Sequence, residues 1–450
     1  MAKKSSQKGA LFTPIQGLVA GFVLIILIGS FLLKLPIASS SGTSIRFIDA
    51  MFTATSAVTT TGLIVVDTGR DYSLFGQIII LILFQIGGLG YMAIITSVVL
   101  LGRRRISLNT RELLGESVVR PRTVDVLFFV KNIIIFTFIV ELLGGLALSW
   151  YWRSYFDPTK SFYEGFFHSV SAFCTAGFSL FSDSMTAYRG STVFNLIIFA
   201  LCITGGIGFF VLYDVYSFFA KTITRKRPRQ LSAHTKLALS VSVLLMLAGT
   251  LLIFISETKD QSVGLFQRLL NAAFQSVSSS TTTGFNTVDV GRMSQTSLLT
   301  IIILMFIGGS PGATAGGIKT TTFGLTILSL FAVLTGRDDV NIFRGRVPHK
   351  TLIKAFSIVL VTALCLLAAT LVLTVTENAA FLDVFFEAAS ALGTVGLSMG
   401  ITPQLSTSGK IVIAITMLIG RIGPLAIGFS LIGKPKIATF QYPETEILVG

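Results

Sequence analysis

Phe274–Phe285 reads FQSVSSSTTTGF, and the chain repeats its skeleton three more times. Phe52–Leu63 is FTATSAVTTTGL, Phe167–Phe178 is FHSVSAFCTAGF, and Phe386–Leu397 is FEAASALGTVGL. In every copy a Phe stands ten residues before a Gly, a Ser six before it and a Thr two before it, and the residue after the Gly is Phe or Leu. The four glycines are Gly62, Gly177, Gly284 and Gly396, so successive copies lie 115, 107 and 112 residues apart. Self-similarity at a fixed long period is the mark of a chain built by repetition, and it governs how everything else is read.

Composition says where such a chain lives. Of its 450 residues 52% are hydrophobic and 12% charged, about half the usual charged share of a soluble domain, and its mean hydropathy is +0.80. Leu18–Leu33, Ile133–Leu148, Leu237–Ile255 and Leu352–Val375 are apolar runs that approach or reach the ~20 residues a helix needs to cross a bilayer. The net charge of +14 is set by placement. Lys3, Lys4 and Lys8 precede the first run; further basic residues cluster in 102–123, 221–236 and 337–354, and Lys434 and Lys436 lie near the end. These segments alternate with the repeats. The positive-inside rule therefore puts both termini and the three basic linkers in the cytoplasm, with the repeats entering from outside. The linkers can also touch anionic membrane lipid; nothing in their placement calls for nucleic acid. Cys174, Cys202 and Cys365 have no metal-site or disulfide spacing, so no transition metal is expected. The opening MAKKSSQK and the apolar run after it are read as an uncleaved first span, because the first repeat needs it.

Each period then has one plan: an apolar span, a short half-apolar segment ending in a T-x-G line, and a second span. The units are 1–101, 102–219, 220–335 and 336–450. First spans are Pro14–Leu35, Val126–Trp150, Thr235–Ile255 and Thr351–Val375. Short segments are Ile48–Val58, Phe162–Phe173, Leu265–Ser280 and Phe381–Leu392. Second spans are Tyr72–Leu101, Thr192–Phe219, Thr296–Leu334 and Lys410–Ile432. The expectation is eight full spans and four re-entrant segments, each of the latter about 18 Å as helix and too short to cross. Second spans carry glycine pairs, Gly87-Gly88, Gly205-Gly206 and Gly308-Gly309; the fourth has Gly420-Arg421. The third continues as Gly308-Gly309-Ser310-Pro311-Gly312-Ala313-Thr314-Ala315-Gly316-Gly317-Ile318-Lys319, too rich in Gly and Pro for a continuous helix, and is read as a break at mid-membrane.

Four re-entrant loops can close around one axis, giving an all-α polytopic membrane protein with a single central pore. Glycine permits backbone angles that turn carbonyls inward, and rings of carbonyls replace the water shell of a monovalent cation. The short helices would aim their negative ends at that cation. The candidate ion-binding lines are Thr59, Thr60, Thr61 and Gly62; Cys174, Thr175, Ala176 and Gly177; Thr281, Thr282, Thr283 and Gly284; and Gly393, Thr394, Val395 and Gly396. None holds an acid. Asp67, Asp183 and Asp289 follow five or six residues beyond the glycines and either focus cations at the outer mouth or end turns.

This quartered plan resembles the Trk/Ktr/HKT superfamily of potassium transporters along essentially the whole chain, and most of all its bacterial Ktr-type membrane subunit. The resemblance implies a homodimer on a cytosolic nucleotide-binding ring of RCK domains, located in the bacterial cell membrane. It implies potassium as the transported ion where all four key positions are Gly, with Ser in the first line going with sodium, and it makes the Gly308–Gly317 break an intramembrane gate. Cys174 departs from the threonines of lines one and three. No cofactor is expected to be held by the chain itself; Na+ is a candidate activator.

The same break is small-residued, so it can cross a conduction path and move aside without repacking. Lys319 and Arg421 are charges at membrane depth, where charge is costly and usually paired or functional. They are expected to help set the gate, the alternative for Lys319 being snorkelling to the cytoplasmic face. The break lacks G-x-x-x-x-G-K-[ST] spacing and apolar spans flank it, which argues against a phosphate loop. His168 has no second His for a metal, and His234 and His349 are read as solvated. No nucleophile–His–acid arrangement is evident, so no enzyme is expected. The competing reading is a sodium-coupled secondary transporter of a monovalent cation with an occluded site, although that class usually shows inverted halves.

Overall fold

The computed structural model describes residues 14–101, 126–223, 230–257 and 263–424. The lysines at 3, 4 and 8, the basic cluster of 102–123, Arg225–Arg229, and Lys434 and Lys436 lie outside those residues, so their cytoplasmic placement does too.

The elements follow the period. Unit one holds α1 (Pro14–Lys34), α2 (Phe47–Val58) and α3 (Leu74–Leu101). Unit two holds α4 (Val126–Trp152), α5 (Pro158–Phe173), α6 (Thr192–Ile207) and α7 (Phe209–Ile223). Unit three holds α8 (Ala233–Ser256), α9 (Leu265–Ser280), α10 (Gln295–Ile307) and α11 (Thr320–Leu334). After a hairpin of β1 (Asn341–Ile342) and β2 (Gly345–Arg346), unit four holds α12 (His349–Thr376), α13 (Phe381–Gly393) and α14 (Thr407–Ile422). Helix starts are written in the sequence. Pro158 opens α5 behind Asp157, whose carboxylate accepts from the Lys160 amide at 3.1 Å. Ser191, Ser294 and Ser406 cap α6, α10 and α14 in the same way. A glutamate ending the first span reaches across in units three and four. Glu257 accepts from the Ser294 amide at 2.8 Å and Glu377 from the Ser406 amide at 2.9 Å.

Among the described residues, four helices are long and apolar enough to cross a membrane, and they are the four first spans. Their large apolar side chains point outward, among them Leu24, Ile28, Phe31, Leu244, Leu247, Leu251, Leu364, Leu367 and Leu371. In water so large an apolar surface would have to be covered; lipid tails solvate it. The core lies inside, around the short helices. The repeated phenylalanines Phe52, Phe167, Phe274 and Phe386 are all buried, which accounts for the first position of the motif.

Of the eight full spans expected, the second span of unit two is corrected. Thr192–Phe219 is not one span: α6 and α7 meet at 102°. The cause is Gly208, whose φ of +98° ends the helix in a conformation that L side chains rarely adopt. The third second span breaks between Ile307 and Thr320, as its glycines require. In the fourth, α14 ends at Ile422, before Gly423 with φ +95°, and the remainder of the expected span, 425–432, lies outside the described residues. Gly393 is the last helical residue of α13, whereas the first residues of the other three lines, Thr59, Cys174 and Thr281, are the caps just past theirs.

Candidate cation path

The four T-x-G lines meet in a closed ring. A Cβ placed on Gly62 would strike the carbonyl oxygen of Ala176; on Gly177, that of Thr283; on Gly284, that of Val395; on Gly396, that of Thr61. Each glycine thus abuts the residue before the next unit's glycine, and the fourth unit returns to the first. The backbone is the same in all four. Gly62, Gly177, Gly284 and Gly396 have φ of +88°, +68°, +87° and +93°, and two residues earlier Thr60, Thr175, Thr282 and Thr394 are left-handed at +50°, +50°, +53° and +49°. A non-glycine residue held there is strained by about 1–2 kcal/mol, so the surroundings must hold it.

The repeated serine does much of that holding. The backbone carbonyls of Ser56, Ser171, Ser278 and Ser390 accept from the amides of Thr61, Ala176, Thr283 and Val395 at 2.8–2.9 Å. Their hydroxyls grip the next residues. Ser56 and Ser390 accept from the amides of Gly62 and Gly396 at 3.0 Å, while Ser171 and Ser278 donate to the carbonyls of Phe178 and Phe285 at 2.7 and 2.6 Å. The amides of Thr61, Ala176, Thr283 and Val395 are therefore spent on their own short helices. The carbonyls of Thr61, Ala176, Thr283 and Val395 accept nothing from the described residues. The motif carried this serine, but its function as a clamp was not legible from spacing.

The glycine pairs seat the ring. Gly87, Gly205 and Gly420 lie against the last carbonyls of their own short helices, at Val58, Phe173 and Leu392. Gly88 and Gly206 lie against the next unit's Cys174 and Thr281.

The loop between α10 and α11 touches units two, three and four. Thr314 donates its hydroxyl to the carbonyls of Phe173 and Gly205 at 3.1 and 3.0 Å and accepts from the Thr175 hydroxyl at 3.2 Å. The Gly316 amide donates to the Thr282 hydroxyl at 2.8 Å, and a Cβ on Gly316 would strike Thr394. Ser310 donates its amide to Gly206 O at 2.9 Å, and the carbonyl of Gly312 accepts from the Phe209 amide at 3.0 Å, just past the Gly208 bend. Pro311 and Ala313 lie beside Gly208, while Gly308, Gly309 and Gly317 close the loop's neck by packing on Gly316, Ala315 and Ile307. Arg421 makes the last link, donating to the carbonyls of Thr314 in the loop and Gly87 in unit one. Lys319 does not snorkel. Its ammonium is buried and donates to the carbonyls of Ala315 and Gly316 at 2.6 and 3.3 Å, because both acceptors lie within one turn behind it.

Other expectations resolve plainly. Asp67 accepts from the amides of Gly69 and Arg70, and Asp289 from that of Gly291; Asp183 accepts from the Thr186 hydroxyl, so all three shape turns. His168 is buried between the Glu164 carbonyl, 2.8 Å from Nδ1, and the Ser179 hydroxyl, 3.1 Å from Nε2. His234 is half-buried against Phe210 rather than solvated. Sequence reading missed the ion pair of Asp49 with Lys410, 2.7 Å apart, which joins units one and four. It also missed Glu141, a carboxylate in the apolar run Ile133–Leu148 that the cost of intramembrane charge could have singled out.

With this geometry in hand, the chain was compared with known proteins. The TrkH family, described as cation transport protein, matches residues 1–437. The chain belongs to the TrkH family. Among its TrkH-family relatives is the Ktr system potassium uptake protein B of Bacillus subtilis, 40% identical over 447 residues and covering 98% of each chain. The potassium/sodium uptake protein NtpJ of Enterococcus hirae is 37% identical and covers 97% of each. The crystal structure of the potassium transporter TrkH from Vibrio parahaemolyticus shares the fold, with a TM-score of 0.69 at 22% identity over 96% of this chain and 86% of that one.

Proposed function

We propose that this chain is the potassium-translocating membrane subunit of a bacterial potassium uptake system, and that it passes K+ through a four-fold pseudosymmetric carbonyl filter with a gate beneath. The observation that carries the reading is the closed ring of contacts from Gly62 to Ala176, Gly177 to Thr283, Gly284 to Val395 and Gly396 to Thr61. Four strands that each turn the amide before the glycine back onto their own short helix leave the carbonyls of Thr61, Ala176, Thr283 and Val395 as the groups that can replace potassium's water shell. The filter residues are those of the four lines. The gate is Gly308–Gly317 with Lys319 and Arg421, held shut where Arg421 joins Thr314 to Gly87. A positive guanidinium at that level also opposes a cation in the path.

The Ktr relatives' names speak of systems, which supports a multi-component assembly. In our reading the chain works as a homodimer on a cytosolic nucleotide-binding ring, with both termini in the cytoplasm of a bacterial plasma membrane. A cysteine placed near Arg104 should then resist impermeant thiol reagents in intact cells. The deciding experiment is potassium and rubidium flux into liposomes holding the purified chain, with and without sodium. Uncoupled, saturable flux is the expected result; a strict sodium stoichiometry would favour the coupled transporter, which the potassium/sodium naming of the Enterococcus hirae relative keeps in view.

A further inference from the structure

The four filter strands are not braced alike from behind. In strands one and three the first and third residues are both threonine and their hydroxyls pair: Thr59 with Thr61 at 2.7 Å, Thr281 with Thr283 at 2.9 Å. The same two hydroxyls also reach back to the carbonyls of Thr55 and Val277, at 2.7 and 2.6 Å. Strand two has Cys174 and Ala176 at these places and can make no such pair. Behind Cys174 stands a polar cluster in otherwise apolar helices. Its thiol donates to Gln85 Oε1 at 3.2 Å, with Glu141 Oε1 3.7 Å away as a second acceptor. Gln85 in turn donates through Nε2 to Glu141 Oε2 at 3.0 Å. Glu141 is itself anchored to α5, because its backbone carbonyl accepts from the Ser169 hydroxyl at 2.8 Å. Gly88 leaves the room, since a Cβ there would fall 2.6 Å from the Cys174 sulfur. A buried carboxylate costs several kcal/mol of desolvation unless it is bonded, so the cluster around Glu141 is not a neutral packing choice.

We propose that Gln85 and Glu141 are positioning residues for the second filter strand, and that they supply from α3 and α4 the brace that strands one and three make within themselves. Neither faces the ring. They fix the backbone at Cys174 and, through it, the carbonyl spacing on which discrimination between K+ and Na+ depends. The proposal rests on the filter reading above.

The test is potassium against sodium flux in liposomes with the full chain. Gln85→Leu and Glu141→Ala should each lower the preference for potassium by about fivefold, the scale of one lost hydrogen bond, with total cation flux retained. Glu141→Gln, which keeps a partner for Gln85, should stay near the native preference. In the background Cys174→Thr/Ala176→Thr, which rebuilds the intrastrand hydroxyl pair, Glu141→Ala should have little further effect. If Gln85→Leu transports with unchanged preference, or if Glu141→Ala costs as much in the two-threonine background as in the native one, the brace is refuted. Should Glu141→Ala fail to reach the membrane, Gln85→Leu alone decides. Wild-type chain that carries no potassium would instead refute the filter reading itself, so the two failures are separable.

Discussion

The upper and lower halves of this molecule obey different rules. At the filter, four units of different sequence converge on one backbone: four left-handed threonines, four left-handed glycines and four serine clamps. One turn below, the four second helices diverge. One is a single unbroken helix, one bends by 102° at Gly208, one opens into a loop, and one carries Arg421 where the three others place the second glycine of a pair. A single ion must meet the same shell from every side, so the filter tolerates no variation in backbone. The proposed gate needs one element that moves against others that do not, so symmetry there would be a defect.

The comparison is broken most severely at the filter. Gly284→Ala puts a Cβ onto the backbone carbonyl of Val395 in a residue with φ +87°, and a neighbouring backbone cannot step aside. Strain of about 1–2 kcal/mol joins the steric cost. Potassium uptake in a cell lacking its own systems should fall at least about tenfold, with protein still in the membrane. Next in size is deletion of Gly312–Ala315. It removes Thr314 and its bonds to Phe173, Gly205, Thr175 and Arg421, so flux in liposomes should rise severalfold and depend less on the cytosolic partner. Unchanged or lower flux from a folded protein would make the loop a structural break. Arg421→Ala removes only the two guanidinium bonds, and its rise in flux should be smaller than that of the deletion. Smallest is Gly312→Ala. This glycine also has positive φ, +71°, but open space surrounds it, so flux should change less than about fivefold. A Gly312→Ala defect as deep as that of Gly284→Ala would erase the distinction between the halves.

How much of this was legible depended on repetition. The filter could be read because four copies align, and the loop at 308–317 because five glycines and a proline crowd into it. Gly208 follows the pair Gly205-Gly206 by two residues in an apolar run, and the sequence does not announce which of the three a helix tolerates and which one breaks it. Arg421 stood out as a charge, but its acceptors lie 107 and 334 residues away in the chain, and no local pattern names them. Lys319 also stood out as a charge, and snorkelling was its alternative by the general habit of lysines; its own left-handed backbone, φ +82°, accompanies an ammonium turned back onto the loop, and that angle is invisible in sequence.

Asp49 and Lys410 have a consequence for how the protein is made. The ring has four seams. Three join units that follow one another in the chain, whereas the seam between the first and fourth units has no linker across it and is held by packing, by this ion pair and by the bond from Arg421 to the Gly87 carbonyl. Lys410 leaves the ribosome 361 residues after Asp49. Until then the carboxylate has the guanidinium of Arg46, three residues away and 2.8 Å distant, as its cationic neighbour. A side chain buried in the finished protein thus begins with a solvent-facing companion and acquires its inward one last. The order of synthesis is the order of closure, and the ring is sealed by the arrival of its final quarter.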